Sequence, residues 1–115
     1  MTLVQVHTAV ARWSYSVVDE DDLQAALGLA LEHENIAFER EVVLGPRDRI
    51  DLLAGDVGIE VKVDGSRASV LRQLQRYAKH ERIGALLLVS PRARHLAMPE
   101  TLGGKPLAVF QPRSL

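Results

Sequence analysis

Apolar residues along this chain switch between a spacing near 3.6 and a spacing of two, and the switches mark out the elements. Val4, Val6, Thr8 and Val10 alternate weakly within Thr2 to Val10, which reads as an extra strand or, equally, as a loop anchored by Trp13 and Tyr15. Asp19 then suits a helix N-cap, followed by Glu20, Asp21 and Asp22 in the first turn, where acids complement the helix dipole. Leu23, Ala26, Leu27, Ala30 and Leu31 recur at helical intervals and predict a buried stripe ending near Asn35. Ala37 to Leu44 returns to alternation and is closed by Gly45-Pro46, the signature of a strand. Arg49 to Val63 predicts a hairpin, with Ile50, Leu52, Ile59, Val61 and Val63 in alternation about a turn at Gly55-Asp56. Arg67 to Arg82, free of Gly and Pro, carries Val70, Leu71, Leu74, Tyr77 and Ala78 at helical spacing. Ala85 to Ser90 is a continuous apolar run that suits a strand covered on both faces, and Leu107 to Phe110 predicts a last strand. The expected fold is therefore α/β, an αβββαβ core over about residues 20–90 with a mixed central sheet flanked by helices.

Composition narrows the classes. At 115 residues the chain fits a single domain, 1–115, that can bury a core without staples. The absence of cysteine removes disulfides, zinc-thiolate sites and thiol catalysis, and favours a reducing cytoplasm. No apolar stretch approaches the roughly 20 residues of a membrane span, and the N-terminus lacks the order of a signal peptide. The net charge of −1 conceals a split: residues 1–60 hold 12 acids and 4 bases, residues 61–115 hold 3 acids and 10 bases. Such asymmetry suits a polyanion on the basic side and a cation on the acidic side. The four histidines show no metal-ligand pairing, and neither a Gly-x-Ser-x-Gly elbow nor a phosphate-binding glycine loop is present.

The chemistry concentrates in the hairpin. A turn centred on Gly55 and Asp56 sets residues whose numbers sum to 111 opposite one another, so Asp51 faces Glu60, and Lys62 projects from the same face. Two like charges across a ladder are destabilising, and their presence points to a bound cation or a reaction. Asp51 and Glu60 supply the oxygen ligands Mg2+ prefers, and the Lys62 ammonium can orient water and neutralise charge on a phosphate. Glu20, at the N-terminal end of the first predicted helix, is a further metal-ligand candidate, with Glu32 and Glu34 as alternatives. On the helix after the lysine, Gln73 and Tyr77 share a face and can point together at a phosphate or at the lysine. Arg72, Arg76 and Lys79 form a line on that helix suited to DNA phosphates, with Arg92, Arg94 and Lys105 as a second possible track.

Asp51, the Glu60-Val61-Lys62 triplet and the Gln73-x-x-x-Tyr77 spacing together resemble the PD-(D/E)XK nuclease superfamily, in particular its RecB-like branch. RIDLL, IEVK and RQLQRYA are similar to the catalytic domains of NucS-type and related prokaryotic or phage endonucleases over roughly Glu20 to Ser90. Ile50 stands where the superfamily's naming proline precedes the acid. The resemblance implies a restriction-endonuclease-like core and a Mg2+-dependent deoxyribonuclease, with Mn2+ as a substitute. It further implies DNA repair or recombination chemistry, selectivity for DNA structure such as branches or junctions, and a homodimer or a protein partner supplying specificity. Two rival classes are a non-catalytic nucleic-acid-binding or assembly subunit that retains the fold, and an interaction domain whose charges are solvation only. Shifting the hairpin register by one residue would separate Asp51 from Glu60 and favour the latter.

Overall fold

A computed structural model describes residues 1–16 and 19–112. Among these residues, three α-helices flank one mixed sheet of six strands. The chain runs α1 (Leu3–Ala11), α2 (Glu20–His33), β1 (Glu39–Gly45), β2 (Asp48–Ala54), β3 (Val57–Val61), α3 (Arg67–Ala78), β4 (Ala85–Val89), a 3-10 turn (Ala93–His95), β5 (Thr101–Leu102) and β6 (Lys105–Phe110). Sheet order is β1-β2-β3-β4-β6-β5. The β1–β2, β2–β3 and β5–β6 pairs are antiparallel, whereas β3–β4 and β4–β6 are parallel.

The layers follow from which side chains each strand sends to each face. Leu52, Ala54, Ile59, Val61, Leu87 and Val89 face α1 and α2, where Val6, Val10, Leu23, Leu27 and Leu31 complete one core. Ile50, Leu53, Leu86 and Leu88 face α3, where Val70, Leu74 and Tyr77 complete the other. All five β4 residues are buried, as their continuous apolar run predicts for a strand covered on both sides. Gly55 turns the β2–β3 hairpin with φ 62°, a conformation glycine adopts at little cost. Gly58 lies under α3's side of the sheet, where a Cβ would come within 2.4 Å of Ile50 Cδ1, so a larger residue would force the core apart.

Three expectations are corrected. The N-terminal segment is a helix instead of a strand: Val6 and Val10 of the alternating set also fall at helical spacing with Ala9, and those three are the residues buried. Thr2 and Gln5 form a reciprocal capping box that starts this helix, and Val4 is left exposed. Tyr15, expected in a loop, does anchor one, donating its hydroxyl to Val10 O at 2.6 Å. Second, α3 stops at Ala78, short of Arg82, because a turn follows in which Ile83 N–H donates to His80 O. Third, Ile50 does not share the face of Leu52, Ile59 and Val61; it belongs to the α3 core, because strand alternation breaks at Asp51.

The same turn after α3 is tied to the β1–β2 hairpin. Buried Asp48 accepts from Arg76 Nε at 3.1 Å and pairs with His80 Nε2 at 2.9 Å. The His80 hydrogen bond, with Arg76 beside it, holds the Asp48 carboxyl below the usual range. A depressed folded-state pKa contributes stability above the unfolded value and loses it as pH falls through the folded value. Asp48→Asn is therefore expected to cost about 1–3 kcal/mol at neutral pH, with the difference from the parent narrowing in acid. Urea melts from pH 7 down to pH 3 check this, and a constant difference across that range would rule out the charge as the cause.

Candidate active site

Hairpin register places the site. Leu52 pairs with Ile59, Leu53 with Gly58 and Ala54 with Val57, the register that the two-residue turn predicts, and Asp51 and Glu60 come next. Beyond Leu52–Ile59 the carboxylates replace the backbone ladder. Val61 N–H donates to Asp51 Oδ2 at 2.8 Å, and Asp51 N–H donates to Glu60 Oε1 at 3.3 Å. On the other side of β2, Glu41 sits between the Arg40–Leu52 and Val42–Ile50 pairs with φ 49°. A left-handed glutamate inside a strand is strained, and the strain lies alongside Asp51. This shared interruption of β1 and β2 turns Ile50 to the α3 side and leaves Asp51 half-buried.

Glu60 is almost wholly enclosed, at 2% exposure. Its Oε2 receives the Tyr77 hydroxyl at 3.2 Å and lies 3.3 Å from Lys62 Nζ. Tyr77 is held in turn by Gln73 Nε2, which donates to its oxygen at 2.6 Å, and its hydroxyl also reaches Arg49 O at 3.2 Å. Burial and the neighbouring Asp51 charge push the Glu60 carboxyl up to about 8, against the pull of Lys62. Burial also raises Asp51, opposed by the Val61 N–H bond. One ammonium thus serves two desolvated carboxylates, and the pair retains a proton near neutrality.

The sequence-derived candidates are placed as follows. Asp51, Glu60 and Lys62 come together, and Gln73 and Tyr77 join them through Glu60. Tyr77 is buried in the Val70–Leu74 core stripe, and its hydroxyl meets the same Glu60 Oε2 that Lys62 Nζ approaches. Among the three helix acids, Glu20 adjoins the site: its Oε1 accepts from Val63 N–H at 3.1 Å, and its charge acts on Asp51. Glu34 is at the opposite end of α2, bound to Arg12 and to Trp13 Nε1, and Glu32 is exposed near it. Among the described residues, no three His, Asp or Glu side chains converge closely enough to hold an ion by themselves. Of the basic line on α3, Arg72 and Lys79 are exposed and outside any ion pair among the described residues, but Arg76 is committed to Asp48. The pairing of Gln73 with Tyr77 was legible as a shared helix face; the Tyr77 hydroxyl on Glu60, the carboxylate-for-backbone exchange and the strained Glu41 had no sequence signal.

Tyr77→Phe keeps the ring in its core position but removes the partner of Arg49 O, Gln73 Nε2 and Glu60 Oε2. A loss of about 1–3 kcal/mol is expected from those orphaned groups. Chemical denaturation measures it, and a change under about 0.5 kcal/mol would mean that water replaces the hydroxyl freely.

Comparison with protein-family models, with curated proteins and with solved structures gives no match.

Proposed function

We propose that this chain is a metal-dependent DNA endonuclease with a restriction-endonuclease-like core, hydrolysing phosphodiester bonds at Asp51, Glu60 and Lys62. The observation that carries the reading is the desolvated carboxylate pair with a single ammonium beside it, at the point where β2 and β3 part. A buried like-charge pair costs free energy unless something offsets it. The donor set fits a divalent cation: two carboxylates of unequal burial, with Glu20 adjacent, and Mg2+ retains waters for its remaining positions. The element order α2-β1-β2-β3-α3-β4 also agrees with the αβββαβ order that the resemblance implies.

In this reading Asp51 and Glu60 would hold Mg2+ or Mn2+, and the bound ion would supply Lewis acidity toward the phosphate. Lys62 Nζ pairs with Glu60 at 3.3 Å and carries three N–H donors, enough to reach the attacking water or a phosphate oxygen as well. The water oxygen bonds to phosphorus and gives up a proton to solvent while one ester P–O bond breaks, and the leaving alkoxide takes up a proton from solvent. Tyr77 and Gln73 are positioning residues: the hydroxyl fixes the Glu60 carboxylate, and the amide fixes the hydroxyl. Glu20, by gripping Val63 N–H, sets the chain that carries Lys62.

The test is incubation of purified protein with linear, flap and junction DNAs, with and without Mg2+ or Mn2+, beside Asp51→Asn and Glu60→Gln. Metal-dependent scission that both variants lose supports the reading. Binding without scission by the parent would favour the non-catalytic subunit, and sedimentation of the same sample reports whether two copies pair.

A further inference from the structure

Three arginines next to this site are held in place by the backbone and, among the described residues, by nothing acidic. Arg92 Nε donates to Val63 O at 2.7 Å, Arg94 Nε to Gly65 O at 2.9 Å, and Arg67 Nε to Ala97 O. All three are exposed, and none makes an ion pair among the described residues. Among the described residues the two terminal nitrogens of each make no hydrogen bond, and they form the fork that matches a phosphate. The segments they tie together, 62–67 and 90–97, are joined underneath by buried His95. Its Nε2 hydrogen-bonds Gly65 O at 2.7 Å, and its Nδ1 shares a 2.7 Å hydrogen bond with the fully buried Ser90 hydroxyl. The anchor is continuous with the active site, because the residue whose carbonyl holds Arg92 gives its N–H to Glu20 and follows Lys62. Lys62 and the three arginines stand in these segments against one acid, Asp64.

We propose that Arg67, Arg92 and Arg94 form a preset clamp for the phosphate backbone of duplex DNA. Identifying the polyanion as DNA rests on the nuclease reading above; the clamp itself rests on the arginine geometry. Fixing each Nε in advance lowers the side-chain entropy lost on contact, so these arginines bind phosphate better than free surface cations. Duplex is favoured over single strand because neither segment contains Phe, Tyr or Trp on which an unstacked base could lie. Exposed Trp13 is bound to Glu34 at the far end of α2, roughly 20 Å of helix from Glu20. Arg76, spent on Asp48, weakens the α3 line as the main track.

The experiment measures anisotropy of a labelled duplex and of its single strand over a range of salt, in EDTA so that no cleavage intervenes. Neutralising all three as Arg67→Gln, Arg92→Gln and Arg94→Gln is expected to flatten the salt slope for duplex by about 2.7 and weaken binding on the order of 100-fold at 0.1 M salt. The matching triple Lys variant, which keeps charge but lacks the Nε anchor, should retain the slope yet bind more weakly than the parent. Duplex should bind more tightly than single strand, and neutralising Arg72, Arg76 and Lys79 should change the slope less. An unchanged slope in the Gln variant overturns the clamp, as does a Lys variant that binds as tightly as the parent, equal loss of slope in the Gln and Lys variants, or equal affinity for single strand. Mg2+-dependent scission by the parent is scored separately. Scission with no role for the arginines sinks the clamp alone, whereas arginine-dependent binding without scission upholds the clamp and sinks the nuclease reading.

Discussion

Glu60→Gln is expected to abolish metal-dependent scission, by at least about 1,000-fold, while leaving the metal-free protein as stable as the parent or more so. Glutamine preserves the shape against Tyr77 and Lys62 but cannot ionise, so the site loses an anionic ligand and the repulsion from Asp51 together. The pH dependence supplies the second readout. A carboxyl raised to about 8 when folded binds more protons than the unfolded chain between its ordinary value of 4.5 and 8. Its stabilising contribution is fully present below the unfolded value and is lost as pH rises through the folded one. The parent should thus lose on the order of 3 kcal/mol between pH 5 and pH 9 without metal, and Glu60→Gln should not. Parallel curves for the two proteins would remove the buried charge from the account. Asp51 requires the gentler exchange: its Oδ2 satisfies Val61 N–H, so Asp51→Ala orphans a backbone donor at a cost of about 1–3 kcal/mol, which Asp51→Asn avoids.

Divalent metal is expected to stabilise the protein and to release a proton when it binds. Ligation requires both carboxylates ionised, and near pH 7 Glu60 holds a proton, so loading should expel close to one proton per site. At a free-ion concentration about 100 times Kd the gain is about 2.7 kcal/mol, a rise in Tm on the order of 10 °C for a domain of this size. Proton release should vanish above pH 9, where the pair is already ionised and affinity is highest. Titration calorimetry of Mg2+ or Mn2+ in buffers of different ionisation enthalpy reads it directly. The same observed enthalpy in every buffer at pH 7, or a thermal shift that survives in Asp51→Asn and Glu60→Gln, would place the ion elsewhere.

By itself the sequence determined what depends on neighbours along the chain. The period of Leu23 to Leu31 gave α2, the run Ala85–Val89 gave the buried strand β4, and the two-residue turn at Gly55-Asp56 brought Asp51, Glu60 and Lys62 to one place. Strand pitch and turn length are local quantities, so counting residues was enough. Tertiary structure decided what depends on groups distant in sequence. Val4 to Val10 fits either a strand or a helix, and burial of Val6 and Val10 under the sheet selected the helix. Tyr77 and Arg76 share one helix with the candidate DNA line, yet Glu60 claims the first and Asp48 the second. The shift of the Glu60 carboxyl is likewise tertiary, because desolvation comes from α3 closing over the hairpin. The arginine clamp belongs in the same class: the sequence grouped Arg92 and Arg94 with Lys105 and left Arg67 out, and hydrogen bonds spanning about 30 residues of chain bring Arg67, Arg92 and Arg94 together.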